Sequence, residues 1–277
     1  MTTLSPAQRA RIHLKGLLAE HGEKVPLDWA VACICSEEDD SVTPLQIIAQ
    51  FEKLAAGLHL PPRTDLFDSL ARLHHYLFEE LSFEGDKKSY YDVDNSLIHR
   101  VMQRRCGLPL TLSIVYMETA RRNGLLIDGV PFPGHFMVSP AGHEKRFYVD
   151  PFDKGRVYHE TRLKQLALQH DVSDPQRVLR PASTMAILIR VNNNLKAAYL
   201  RDGNLDGTLR ALERTLLIDP SLHRQLRDKG LVLSEMGRVD EAIVVLERYL
   251  SVCPTNTDVE RIRQHLAFLK REGAKST

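Results

Sequence analysis

The feature that most constrains this chain is a self-match at an offset of 34 residues near its C-terminus. That shift lays Gly203 on Gly237, Asp206 on Asp240, Leu212-Glu213-Arg214 on Leu246-Glu247-Arg248, Leu216 on Leu250 and Pro220 on Pro254. A period of this length suits one helical hairpin per unit, which is too small to bury its own apolar face and must stack on a neighbour. The glycine belongs in the turn between the two helices. Ala211, Leu212, Leu216 and their partners pack the hairpin. The proline ends the second helix, because it has no N–H to donate and clashes with the preceding turn. Two units are few for a free-standing solenoid, so the tail is expected to pack against the rest of the chain.

Upstream, the apolar residues keep a helical period as far as Gly124. Leu14, Leu17 and Leu18 share one face of a first helix. Pro26 opens a second helix through Trp29, Val31 and Ile34. Pro44 opens a third with Leu45, Ile48, Phe51 and Leu54, which Pro61–Pro62 stops. Leu66, Leu70, Leu73, Leu77 and Leu81 predict a fourth. After the polar break GDKKSYYDVDNS comes a short helix with Leu97, Ile98, Val101 and Met102, which Asp94-Asn95-Ser96 is expected to cap. Pro109 opens a strong helix that ends at Asn123–Gly124. Beyond Gly124 the period shortens toward two, and LLIDGV, HFMVS, RFYVD and GRVYHE read as short strands. Residues 160–170 return to helix, and SDPQRVLRPAS marks a junction. The expected division is 1–180 for a helical leader and α+β core, and 181–277 for an all-α tail.

Composition narrows the function. The chain has 277 residues, 37 Lys and Arg against 36 Asp and Glu, and a formal net charge of +1. No global field draws it to nucleic acid or to an anionic membrane, although Arg104–Arg105 with Arg121–Arg122 form a candidate local basic patch. The N-terminal residues lack an apolar signal region, and no run of about 18 apolar residues occurs. The four cysteines, Cys33, Cys35, Cys106 and Cys253, are too few and too unevenly spread for a disulfide scaffold. Cys33 and Cys35 read as small apolar filler in a buried helix. These features point to a reducing cytoplasm, with no metal and no cofactor expected.

Three residues carry candidate chemistry. Cys106 precedes the helix opened by Pro109, where the positive end of the macrodipole favours a thiolate. His135 begins a strand, and Asp150 ends the next. Side by side on neighbouring strands, the carboxylate would fix the imidazole tautomer and stabilise imidazolium. The alternative is a structural His135–Asp150 hydrogen bond tying two strands together. Tyr90 and Tyr91 read as core or cleft wall. His74 and His75 have no metal-ligand spacing.

The stretches SYYDVDNSLIHRVMQRRCGLPLTLSIVY, NGLLIDGVPFPGHFMVS and FYVDPFDKGRVY, in that order, resemble the SirB-type family, in which a transglutaminase-like core precedes a TPR-like tail. The glycine, small-residue and proline positions of the tail resemble the tetratricopeptide (TPR) family over residues 184–254, with a capping helix to about residue 271. The resemblance implies a papain-like core: a helical leader, a central helix and a small antiparallel sheet. Active enzymes of that superfamily place their nucleophile in a Gly-x-Cys at the start of the central helix. Here the stretch is Gly107-Leu108-Pro109, so Pro109 takes the nucleophile's place and Cys106 stands before the glycine.

Two functions follow as expectations. One is an interaction or regulatory protein, catalytically degenerate, whose tail binds a protein or peptide. The other is a cysteine acyl-transfer enzyme, an amidase, protease or transglutaminase, with Cys106 as nucleophile, His135 as base and then acid, and Asp150 as its orienter. Backbone N–H groups near Leu110 would then hold the oxyanion.

Overall fold

The computed structural model describes residues 4–61, 64–142, 147–255 and 257–273. Pro62 of the expected helix stop and Arg146 of the RFYVD strand lie outside them. The fold is mixed, with a helical leader and a small antiparallel sheet followed by an all-helical tail. Two compact units divide it, Met1–Ile187 and Leu188–Thr277.

The first unit begins with α1 (Pro6–His21), α2 (Leu27–Glu38), α3 (Pro44–Ala56) and α4 (Leu66–His74). Ser5 and Thr43 start α1 and α3 through reciprocal capping boxes with Gln8 and Gln46, each satisfying backbone donors that a helix start leaves orphaned. Cys33 and Cys35 are buried on α2, and the Cys35 sulfur accepts from the N–H of Ile98 at 3.2 Å.

The fourth expected helix is only partly α. After His74 the chain opens into a π-turn, His75–Glu80. The reason is visible in burial: Tyr76, Leu77 and Phe78 are all buried. Three consecutive side chains span more than one face of an α-helix, and the wider π-turn brings them inward together.

Next come β1 (Glu84–Gly85), α5 (Ile98–Arg104), β2 (Cys106–Gly107) and α6 (Pro109–Arg122). Twelve of the 14 residues of α6, Pro109 to Ala120, are buried, as expected for a helix apolar on most sides. Two of its small polar side chains bond to carbonyl groups. Ser113 Oγ donates to the Phe136 carbonyl at 3.0 Å and Thr119 Oγ1 to the Val115 carbonyl at 2.8 Å.

The sheet is an antiparallel meander of β3 (Ile127–Phe132), β4 (His135–Pro140), β5 (Phe147–Asp150) and β6 (Arg156–His159). Strand alternation gives it two faces. Against one lies α6: a Cβ on Gly129 would stand 2.7 Å from the Phe136 ring and 3.2 Å from Met117 Sδ. On the other, Val130, Phe132, Met137 and Tyr148 pack with Leu163 and Ala167 of α7 (Glu160–Gln169).

The second unit is formed by most of α8 (Thr184–Arg201) with α9 (Leu205–Ile218), α10 (His223–Glu235), α11 (Val239–Val252) and α12 (Val259–Gly273). Gly203 and Gly237 occupy the α8–α9 and α10–α11 turns at φ +69° and +74°, the left-handed region that favours glycine. Pro220 and Pro254 follow the ends of α9 and α11. Leu212, Leu246 and Tyr249 are fully buried in one cluster with Leu226 and Ile262. Among the described residues no helix is long and apolar enough to cross a membrane.

Candidate functional site

The site is built where β4, β5 and the start of α6 are anchored. Val138 pairs with Val149, which puts Asp150 opposite Met137 and His135 two residues further along on the same face. His135 Nδ1 lies 3.1 Å from Asp150 Oδ2. Asp150 is almost wholly buried and His135 is 40% exposed at its side chain. The carboxylate's other oxygen accepts from the N–H groups of Phe152 and Asp153 at 3.0 and 3.3 Å. Asp150 is thus held by a short 3₁₀ turn at Pro151–Asp153 as well as by the strand.

Phe152 completes this corner. Its ring meets the His135 ring edge-on at 6.2 Å and the Tyr90 ring at 6.1 Å. It also covers Gly85, where a Cβ would fall 2.4 Å from the ring. Tyr90 and Tyr91 are T-stacked at 5.2 Å. They are 37% and 52% exposed, so of the two expected places, core or cleft wall, they do not occupy the core.

Cys106 is held by backbone. Its strand β2 pairs in parallel with β1, Cys106 opposite Glu84 and Gly107 opposite Gly85. Gly107 has no room for a side chain, since a Cβ would lie 2.9 Å from Val101 and Thr111. The Cys106 thiol is half-buried, and burial, then the charge of Asp86, push it above the usual thiol range. Desolvation disfavours the charged thiolate. The structure brings His135 beside Asp150, and Cys106 lies on the separate β1–β2 ladder.

At the start of α6 the polar groups serve the fold. Thr111 Oγ1 accepts from the Leu108 N–H at 3.0 Å and donates to the Asn95 carbonyl at 2.8 Å. Asn95 is fully buried, and its Nδ2 donates to Asp86 Oδ2 and to the Ser89 carbonyl. Asp86 also receives the N–H groups of Lys88 and Ser89. This Asp86–Asn95–Thr111 chain ties the polar break to the central helix. Its only sequence signal is the Asp-x-x-Ser spacing of a turn.

Two expectations are corrected here. Asp94-Asn95-Ser96 does not cap α5, whose N-cap is Leu97 without a side-chain bond; Asn95 is turned inward to the network instead. The arginine pairs do not form a basic patch. Arg104 faces Asp86, Asp92 and Asp94 at 3.3 to 3.9 Å. Arg121 and Arg122 both reach Asp28 and Glu118 at 2.6 to 2.9 Å. Among the described residues no group of His, Cys, Asp and Glu is arranged to hold a metal.

Comparison with known proteins agrees with this architecture. A family model described as the transglutaminase-like superfamily matches residues 45–193, and one described as a tetratricopeptide repeat matches residues 195–267. A UPF0162 protein of Xylella fastidiosa is 34% identical over 209 residues, covering 73% of this chain and 74% of that protein. A UPF0162 protein of Vibrio cholerae is 26% identical over 214 residues, covering 74% and 78%. F-box only protein 21 of Homo sapiens is 29% identical over 142 residues, which are 48% of this chain and 22% of that protein. No solved structure matches. The chain belongs to the transglutaminase-like superfamily and, within it, to the family of the UPF0162 proteins.

Proposed function

We propose that this is an interaction or regulatory protein whose transglutaminase-like body serves as a catalytically degenerate scaffold and whose repeat tail receives a protein or peptide partner. The observation that carries the reading is Pro109 at the first turn of α6, the place where an active member of the superfamily would carry its nucleophile. The raised Cys106 thiol supports it. In this reading the His135–Asp150 contact is a clamp between strands, and the helical hairpins supply a partner surface. The finer affiliation is with the SirB-type proteins, through the motifs across residues 89–158. The setting is the cytoplasm, consistent with the absence of any disulfide among the four cysteines.

The reading is tested by profiling proteins captured from a lysate by the full chain, and by a chain that ends at residue 187. Specific partners should be held by the first and lost from the second. Capture that is equal with and without the tail contradicts it.

A second reading has one observation in its favour, the His135–Asp150 contact at 3.1 Å with the imidazole partly exposed. Cys106 would attack an amide carbonyl, His135 would take the thiol proton and return it to the leaving amine, and Asp150 would orient the ring. A burst of amine from an activated anilide, abolished by Cys106→Ser and by His135→Ala, would favour this reading over the scaffold.

A further inference from the structure

The meander's faces are unequally covered. Val138 pairs with Val149, Val149 with Val157, and Phe147 with His159. Paired residues point to the same side, so these side chains share the face on which α6 packs. Over β3 and β4 the helix closes on Phe136 and Gly129. Over β5 and β6 the cover is α4, and the closure is incomplete. A cavity of about 540 Å³ remains, lined by Phe67, Leu70, His74, Tyr116, Phe147 and Val157 among others. That volume falls within the ~300–1,000 Å³ of ordinary small-molecule pockets.

Its chemistry is narrow. Phe67 and Phe147 stack at 5.7 Å and 26°. Phe67 and Val157 are 64% and 52% exposed, an apolar rim that water covers poorly. Burial holds the His74 imidazole below its usual range and favours its neutral form. Glu79 is engaged by His75 at 2.8 Å. The walls are otherwise mostly apolar, which favours an uncharged ligand. The other polar groups are the exposed His159 at the rim and the Tyr116 hydroxyl: Tyr116 is 1% exposed, and its oxygen has no hydrogen-bond partner among the described residues. A buried hydroxyl without a partner is costly and calls for an explanation.

We propose that this cavity binds an uncharged aromatic small molecule bearing one hydrogen-bonding substituent, with its ring against Phe67 and Phe147 and its polar group toward Tyr116. The site involves neither Cys106 nor the repeat tail, so its failure leaves the scaffold reading untouched.

The test is a titration of the full chain with 2-naphthol and with naphthalene. Saturable one-to-one binding of 2-naphthol is expected. Ala71, an exposed residue of the lining, can be enlarged without disturbing the core. Ala71→Trp should fill the mouth and weaken both probes by about tenfold or more. Tyr116→Phe should weaken 2-naphthol by about fivefold, the scale of one hydrogen bond, and leave naphthalene unchanged. Non-saturable binding of 2-naphthol, or equal affinity in Ala71→Trp, overturns the site. Equal losses of both probes in Tyr116→Phe overturn the role of the hydroxyl. A tryptophan-bearing peptide that binds where 2-naphthol does not would assign the cavity to a protein partner and overturn the small-molecule proposal.

Discussion

At the scale of single residues, burial decides the state of the reactive groups. Cys106 has the weak field of a helix start in its favour, and burial with Asp86 against it. Cys33, deeper in α2, is pushed up to about 12 by burial and by its neighbour Cys35. Alkylation by iodoacetamide should therefore be slow at Cys106 near neutral pH and rise only above the ordinary thiol range. Asp86→Asn should speed it, read as a rate against pH by mass spectrometry; a fast rate at neutral pH in the unaltered chain would contradict this account. His99 is a second case. Its Nε2 is 3.0 Å from Asp39, yet burial outweighs that contact and holds the ring below its usual range. The unfolded chain then takes up the proton first as pH falls through ~6.5, so the site withdraws stability below that pH. His74 shifts in the same direction. Asp39 is held below the usual carboxylate range, chiefly by the Ser41 hydroxyl, and its contribution is lost lower, below about pH 4. Urea melts of His99→Gln should show a shallower loss than the unaltered chain as pH falls below about 6.5.

At the scale of elements, the helix starts and the hairpin turns are the points most exposed to single changes. Thr43 accepts from the Gln46 N–H, while the Gln46 side chain returns to the Thr43 N–H at 2.8 Å. Thr43→Ala should cost about 1 kcal/mol, measured by chemical denaturation. Gly203 and Gly237 occupy equivalent turns at positive φ with open space around them. Alanine at either position should cost about 1 kcal/mol through backbone strain alone. Equal penalties at the two sites would reflect their equivalence in the repeat. Gly230 differs: a Cβ there would lie 2.5 Å from the Leu246 side chain. Its replacement by alanine should cost about 1–3 kcal/mol by overpacking.

At the scale of the whole molecule, the division between Ile187 and Leu188 predicts separate folding. The first unit carries its own core, from the buried stretch of α2 to the fully enclosed α6. A fragment of residues 1–187 should unfold cooperatively in urea and keep its near-ultraviolet signal from Trp29. A gradual, non-cooperative melt would contradict the division. The tail carries the cluster around Leu212, Leu246 and Tyr249, which follows from stacked hairpins with shared apolar faces.

Local rules in the sequence determined most of the framework. Proline and glycine punctuation placed α2, α3, α6 and the two repeat turns, because these residues restrict or free the backbone whatever surrounds them. Alternation located the four strands of the meander for the same reason. The resemblance of three ordered motifs indicated the core and the tail, and the His135–Asp150 contact followed from strands being neighbours. The remainder was decided by tertiary structure, because it depends on groups distant in the chain. The π-turn after α4 arises from three consecutive side chains finding room inside. Asn95 leaves a helix cap to join Asp86 and Thr111. The arginine pairs meet Asp28, Glu118 and Asp86 and lose their character as a patch. The Cys106 thiol is pushed up by desolvation and by the charge of Asp86, neither of which its place in the sequence reveals. Local sequence fixes where the backbone turns; burial and distant partners fix what each side chain can do.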